Sequence, residues 1–125
     1  MKNNLIAACL QLTSSSDIYK NLKETIDLSN KAIDKGAFLI STPEVTNIIS
    51  LDRQKLKRSV FLEKDDPFLI EFTKIAKKKS VWILLGSIVI KDNMNKLYNR
   101  SYLINSKGNI PVSYTHLTLP TMDSV

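Results

Sequence analysis

The stretch Leu39–Ile49, LISTPEVTNII, places a proline and a carboxylate where an apolar run ends. The run belongs to Ala37–Ser41, which is typical of a short buried β-strand. Pro43 fixes its own φ and disfavours the helical region for the residue before it, so the chain leaves the strand in a restricted direction. Glu44 follows at once. The stretch therefore raises the question of what a carboxylate does where a buried strand leaves the core.

The sequence before this stretch predicts a strand and a helix. Asn4–Leu12 is a largely apolar run, which predicts a strand covered on both faces. Ile18–Lys35 has apolar residues at spacings of three and four, with Gly36 where a C-terminal cap belongs. A strand–helix–strand crossover places its two strands parallel in one sheet, so we expect the first two strands to be parallel neighbours.

The sequence after the stretch predicts a further helix and two strands. Thr46–Lys64 is less regular and suggests one short helix, whereas a better helix begins near Asp66. Val81–Ile90 is apolar enough for a third strand, and Leu97–Ile104 is expected to return as an antiparallel fourth strand. The predicted fold class is therefore α/β, a mixed sheet with helices on one face.

Composition limits the classes of protein that fit. The chain has 125 residues, 43% of them apolar, which suits one domain with a real core. Its net charge of +6 is compatible with an acidic partner such as nucleic acid. Lys77–Lys79, however, fall in the predicted last turn of a helix without interleaved aromatic residues, so we interpret them as complementing the helix dipole.

The cysteine content and the apolar runs suggest a location. The single cysteine, Cys9, excludes an internal disulfide and fits a reducing compartment. We interpret it as a buried structural thiol, because it lies inside the first predicted strand. No apolar run approaches the roughly 20 residues of a membrane span. The expected location is cytoplasmic, with no membrane association.

Glu44 has a functional interpretation and a structural alternative. Ligands of α/β sheets bind beyond the carboxyl ends of the parallel strands, where Glu44 is expected. A carboxylate there can be half buried, and desolvation brings the pKa of a carboxyl group toward the range that a general base needs. The alternative is a solvated or helix-capping glutamate, which the isolated Pro-Glu pair equally allows.

Five stretches, in their order along the chain, indicate a resemblance to a protein family. They are AACLQLTSS, a helix containing Asn21-Leu22, GAFLISTPE, WILLGSIVI and KLYNRSYLINSKGNI. Together they resemble the nitrilase superfamily of carbon–nitrogen hydrolases over residues 4–110. The resemblance implies an α-β-β-α sandwich and a Glu-Lys-Cys triad, with no metal or organic cofactor. It assigns Glu44 as the general base that activates a cysteine nucleophile.

The same resemblance implies a substrate class and an assembly. Members hydrolyse small-molecule amides or nitriles through a thioester-type acyl enzyme, and a lysine helps to stabilise the tetrahedral intermediate. We favour an amidase over a true nitrilase for this chain. Nucleic acid and membranes are not expected partners, and a homo-oligomer is expected for the full-length protein.

The resemblance stops after Gly108. The family has its lysine soon after that turn, but NIPVSYTHLTLPTMDSV contains none, and the family's cysteine lies later still. Residues 112–121, VSYTHLTLPT, resemble the translation of a sequencing-library transposon adapter, and all 18 basic residues lie before residue 112. We therefore expect residues 1–111 to be the N-terminal part of an incomplete carbon–nitrogen hydrolase domain. Residues 112–125, including His116, are expected to be a non-native tail.

Three functional hypotheses follow. The first is an amidase-like carbon–nitrogen hydrolase that is truncated and inactive as this chain, because the matching lysine and cysteine are absent. Its sheet is then expected to expose an apolar face that lacks a partner. The second is a small basic nucleic-acid-binding module, recognisable by steep salt dependence of binding. The third is a noncatalytic α/β interaction domain, which a fully solvated Glu44 would favour.

Overall fold

The computed structural model describes residues 4–118, which form five strands and three α-helices. In chain order they are β1 (Ala7–Cys9), α1 (Ile18–Asp34), β2 (Leu39–Ser41), α2 (Arg53–Ser59), α3 (Pro67–Lys79), β3 (Trp82–Lys91), β4 (Leu97–Ile104) and β5 (Val112–Thr118), with a 3₁₀ turn at Glu63–Asp65 between α2 and α3.

The strands form one mixed sheet in the order β1-β2-β3-β4-β5. β1, β2 and β3 are parallel, with Ala8 opposite Ile40 and Ile40 opposite Ile83. β4 and β5 are antiparallel additions to β3. The structure confirms the predicted α/β class, the parallel pairing of the first two strands and the antiparallel fourth strand.

The helices begin where the sequence supplies capping side chains. Asp17 Oδ1 accepts from Tyr19 N (3.1 Å) and Lys20 N (3.2 Å) at the start of α1. Asp66 Oδ1 accepts from Leu69 N (3.0 Å) at the start of α3, where Pro67 is the first helical residue and has no N–H to satisfy. These carboxylates satisfy backbone donors that the helices leave without partners, and they fix where α1 and α3 start.

The helices pack on one face of the sheet. Sheet residues such as Ile40, Ile83, Leu85 and Ile104 are fully buried there. They belong to one core cluster with helix side chains including Ile18, Leu22, Phe68 and Phe72. Burial of the apolar stripes on α1 and α3 is the main stabilising contribution to this layer.

The buried face of α1 also carries polar residues, of which the spacing predicted only Ser29. Asn21, Thr25 and Ser29 are at most 2% exposed. Thr25 Oγ1 donates to Asn21 O (2.6 Å), and Ser29 Oγ donates to Thr25 O (2.7 Å). These hydroxyl groups can be buried because each finds a carbonyl one turn earlier in the same helix.

The other face of the sheet is uncovered around Leu84 in residues 4–118, whereas both faces of β3 are buried from Ser87 to Ile90. Leu84 of β3 is 36% exposed although its neighbours Ile83 and Leu85 are fully buried, as alternation across a one-sided sheet requires. Leu84 pairs with Leu103, which pairs with Val112, so these side chains share the open face. The expected uncovered apolar face is therefore present.

Two expectations about β1 are wrong. The strand spans three residues rather than Asn4–Leu12, and it is not covered on both faces, since Ala7 is exposed. Cys9 is exposed as well, not a buried structural thiol. The physical reason is that β1 lies at the edge of the sheet, and Cys9 pairs with Ser41 on the side away from the helices.

The segment predicted to be a non-native tail begins in the described part of the chain. Residues 112–118 form β5, which pairs with β4, whereas residues 119–125 lie outside the described residues. Pairing with β4 does not test where this segment comes from, so the non-native tail stays a prediction.

Within residues 4–118, no helix has the length and apolar character needed to cross a membrane.

Asp66 makes the stability of the fold depend on pH. Its side chain is fully buried, Oδ2 has no hydrogen-bond partner within residues 4–118, and burial raises the pKa of its carboxyl group from 3.8 to about 6. The folded state therefore binds the proton more tightly than the unfolded chain does. We expect the free energy of unfolding to fall as the pH rises from about 4 through about 6, by at most about 3 kcal/mol.

Urea denaturation of the chain between pH 4 and pH 8 measures this effect. Asp66→Asn should flatten the pH dependence and be the more stable form at pH 8, because it keeps an accepting oxygen without the buried charge. Asp52→Asn, at the exposed N-cap of α2, is the matched control and should leave the dependence in place. An unchanged pH dependence in Asp66→Asn would show that another group causes it.

Candidate active site

Glu44 lies at the carboxyl edge of the parallel strands, as predicted. β2 ends at Ser41, and Glu44 follows in a turn with Val45. Its side chain is exposed rather than half buried, because no element of residues 4–118 covers this carboxylate. Within the same residues its carboxylate has no hydrogen-bond or ion-pair partner, so its position depends on its backbone.

The backbone of this turn is strained. Val45 has φ +52°, in the left-handed region that a β-branched residue rarely adopts. Such a conformation costs about 1–3 kcal/mol and persists only where surrounding contacts impose it. The contacts that impose it here come from β3 and from the loop before α1.

β3 holds the turn at several points. Ser87 Oγ accepts from Val45 N (2.7 Å), and Ser87 O accepts from Thr46 N (2.9 Å). Thr42 N donates to Leu84 O (2.9 Å), and Thr42 Oγ1 accepts from Gly86 N (3.1 Å). The residues on both sides of Glu44 are thus bonded to a strand of the sheet.

Gly86 permits this close approach. A Cβ atom at this position would lie 2.2 Å from Thr42 O and 2.6 Å from the Pro43 carbonyl, which are impossible contacts. The pairing of β3 with β4 is irregular between Leu85 and Ile88, so a bulge coincides with Gly86 and Ser87. A glycine inside a strand often marks such a bulge or a close backbone contact, and Gly86 marks both.

A second set of contacts comes from the other side of the turn. Ser14 Oγ donates to Thr46 O (3.0 Å), and Ile49 N donates to Ser15 O (2.9 Å). Asn47, which is fully buried, bonds to the backbone of Val89 with both groups of its side-chain amide. The turn is therefore clamped between β3 and the loop that enters α1.

Sequence analysis did not identify Ser87 or Asn47 as site residues. A usable signal was present, since each is a polar residue inside an otherwise apolar stretch. Nothing in the local sequence says which backbone groups they meet, because their partners lie about 40 residues away in the chain.

Within residues 4–118, Cys9 and His116 do not form a triad with Glu44. Cys9 is exposed on β1, and among residues 109–118 none is a lysine. His116 Nε2 lies 2.5 Å from Ser101 Oγ, on β5 and β4 respectively. Within residues 4–118, the structure therefore supplies the turn that carries Glu44 but no cation next to its carboxylate.

A polar cleft lies elsewhere in the molecule. It has a volume of about 490 Å³, and Glu63, Lys91, Tyr98 and Arg100 are among its lining residues, whereas Glu44 is not. Glu63 Oε2 accepts from Arg100 (2.7 Å) and from the Tyr102 hydroxyl (2.5 Å), and burial together with this carboxylate raises the pKa of Tyr102. Arg100 and Tyr102 share one carboxylate oxygen of Glu63, although Arg100 Nε is buried without a hydrogen-bond partner in residues 4–118. The shared carboxylate fits a structural cluster.

Comparison with known proteins finds a matching family model and proteins of similar sequence. The family model described as carbon-nitrogen hydrolase matches residues 6–124. Deaminated glutathione amidase of Homo sapiens is 32% identical over 123 residues, which cover 90% of this chain and 36% of that protein. The nitrilase and fragile histidine triad fusion protein of Drosophila melanogaster is 31% identical over 108 residues, covering 86% of this chain and 23% of that protein.

Solved structures share the fold. The Caenorhabditis elegans NitFhit protein superimposes with a TM-score of 0.80 at 24% identity, over 89% of this chain and 27% of that one. An amidase from Nesterenkonia sp. gives a TM-score of 0.73 at 21% identity, over 89% and 42% respectively. The chain thus spans about a quarter to two fifths of the length of these relatives.

Replacing Gly86 tests the clamp on the turn. Gly86→Ala should lower the free energy of unfolding by about 1–3 kcal/mol or more, because the added methyl group overlaps the Thr42 and Pro43 carbonyls. Hydrogen exchange should show faster exchange of the Val45 and Thr46 amides than in the unmodified chain.

Gly36→Ala is the matched control. Gly36 has φ +92° but an open Cβ position, with its nearest atom at 3.6 Å. This control should lose stability through backbone strain alone, by about 1 kcal/mol, and leave both amides protected. If Gly86→Ala behaved like Gly36→Ala, the close approach would not be what fixes the turn.

Proposed function

Because the chain belongs to the carbon–nitrogen hydrolase family, we propose that it carries the general base, Glu44, of an amidase-like enzyme. The observation that carries the proposal is the strained turn after β2, which presents a carboxylate beyond the parallel strands while β3 fixes the backbone on both sides of it. Strain of this kind clusters at functional sites.

The proposed reaction needs three groups. The carboxylate of Glu44 accepts the proton of a cysteine thiol, and the thiolate attacks the carbonyl carbon of the amide. A lysine ammonium stabilises the resulting oxyanion, and the C–N bond then breaks as the leaving amine takes the proton held by Glu44, which restores the carboxylate. The same carboxylate takes a proton from water, the hydroxide attacks the thioester, and the C–S bond breaks as the proton returns to the cysteine thiolate. The family resemblance assigns the lysine and the cysteine to sequence that this chain does not contain.

The exposure of Glu44 fits a base whose surroundings come from elsewhere. A carboxylate open to water is a poor proton acceptor for a thiol, because water already stabilises its charge. Cover by further protein would remove that water. The open apolar face at the end of β3, which includes Leu84 and its pairing partner Leu103, offers a surface for such cover.

A small-molecule amide is the proposed substrate class, ahead of a nitrile. Two observations support it: relatives at about 32% identity are named deaminated glutathione amidase, and structural matches include amidases. Deaminated glutathione and simple aliphatic amides are therefore the first substrates to test.

A noncatalytic α/β interaction domain is the second candidate. The exposed, unpartnered carboxylate of Glu44 favours it, since a solvated glutamate needs no catalytic explanation. A basic nucleic-acid-binding module is the third, and it requires binding that weakens steeply with salt. The two experiments below separate the catalytic candidate from both alternatives.

The first experiment uses the complete protein as proposed, in which the genomic sequence is read on after the codon for Pro111. Glu44→Gln should reduce kcat/KM for amides by about 10²–10⁴-fold, because the amide side chain cannot accept the thiol proton. The free energy of unfolding should change little, since the two side chains have nearly the same shape. Glu24→Gln on α1 is the control and should keep full activity. Normal turnover in Glu44→Gln would make Glu44 a structural residue.

The second experiment uses the 125-residue chain alone. We expect no hydrolysis of amides or nitriles, because groups of a triad act as a unit and loss of the nucleophile alone costs as much as loss of all of them. The assay compares the purified chain with the complete protein on the same substrates. Thiol-dependent turnover that Cys9→Ala abolishes would contradict this expectation and make the exposed Cys9 a nucleophile.

A further inference from the structure

The side chain of Asn47 makes hydrogen bonds to β3 of the kind that the backbone of a neighbouring strand would make. β2 stops pairing with β3 at Ser41, opposite Leu84, although β3 continues to Lys91. Beyond the turn, Asn47 Nδ2 donates to Val89 O (2.9 Å) and Asn47 Oδ1 accepts from Val89 N (2.9 Å). One side-chain amide thereby replaces the pair of backbone hydrogen bonds that a neighbouring strand would make.

The backbone of Asn47 is tied to α1 in turn. Asn21 Nδ2 donates to Asn47 O (2.9 Å) and to Ser15 O (2.8 Å), while Asn21 Oδ1 accepts from Ser15 N (2.9 Å). Asn21 is 2% exposed and Asn47 is fully buried. Each nitrogen and oxygen of the two side-chain amides has at least one hydrogen-bond partner, and both N–H groups of Asn21 are used.

This network ends three residues from Glu44. Thr46 and Val45 lie between them, and Val45 is the residue in the left-handed conformation. The side chain of Glu44 contributes no hydrogen bond of its own within residues 4–118, so the path of the backbone on either side decides where the carboxylate lies. Gly86 holds the backbone before Glu44 through its hydrogen bond to Thr42, and Ser87 and Asn47 hold the backbone after Glu44.

We propose that Asn47 is a positioning residue for Glu44, acting through its paired hydrogen bonds to the backbone of Val89. The proposal rests on the assignment of Glu44 as general base under the proposed function. Loss of either hydrogen bond lets the strained turn relax and moves the carboxylate, while the side chain of Asn47, buried against β3, has no access to a substrate. The defect should appear in kcat rather than in KM.

The test is a double-mutant cycle in the complete protein. Asn47→Asp replaces the donor to Val89 O by a second acceptor, and it should lower kcat by about 10–100-fold, as small misplacements of catalytic groups do, with little change in KM. Asn30→Asp on α1 is the matched control and should keep kcat. In a Glu44→Gln background, Asn47→Asp should have almost no further effect on kcat, within about twofold, because its effect passes through Glu44.

Each outcome of the double-mutant cycle either supports or contradicts the positioning role of Asn47. Effects that multiply in the double variant would overturn the proposal, since a general loss of structure lowers activity in both backgrounds. Full activity in Asn47→Asp, combined with an inactive Glu44→Gln, would overturn the positioning role and leave the base assignment intact. Full activity in Glu44→Gln would remove the base assignment and the positioning role with it.

Two further measurements cover a variant that fails to fold. Asn47→Ala breaks the same two hydrogen bonds without burying a charge, and its cycle with Glu44→Gln should be equally non-additive. In the unmodified protein, hydrogen exchange of the Val89 amide should be as slow as that of its strand neighbours Ile88 and Ile90. Fast exchange of the Val89 amide would show that Asn47 does not hold β3, and would overturn the proposal without any variant.

Discussion

The contact between Gly86 and the carbonyls of Thr42 and Pro43 is the constraint on which the candidate site depends. A backbone segment can cross a strand this closely only where the strand has no side chain, and a Cβ atom at Gly86 would lie 2.2 Å from Thr42 O. The close approach lets Ser87 reach the amides of Val45 and Thr46. The strained conformation of Val45 follows from these bonds, and the location of Glu44 follows from that conformation.

The sheet explains why the turn lies at an edge and why it is exposed. Three parallel strands end on the same side, and the helices cover only one face of residues 4–118. Leu84 and Cys9, on the other face, lack a covering layer among these residues. The one-sided cover therefore accounts for both exposures, whereas Glu44 is exposed because it lies in a turn beyond the strands.

Sequence patterns predicted the elements whose signals are local. The α1 stripe, the start of α3 near Asp66 and the limits of β4 at Leu97–Ile104 follow from periodicity and from turn chemistry within a few residues. Exposure is not a local property, because it depends on what packs against a strand. The prediction that Cys9 is buried was wrong for that reason, since an apolar run alone does not distinguish an edge strand from a central one. The exposure of Glu44 likewise depends on what packs against its turn.

Asn47 shows the limit of sequence reasoning most clearly. Its role depends on a pairing with Val89, 42 residues away, and on the absence of a strand residue at that place in the sheet. A polar residue in an apolar run signals that some partner exists, since a buried amide without partners is too costly to persist. Which backbone it meets is decided only when β3 continues past the end of β2. The rigidity of the turn is thus built by contacts between residues that lie far apart in the sequence, so no local pattern predicts it.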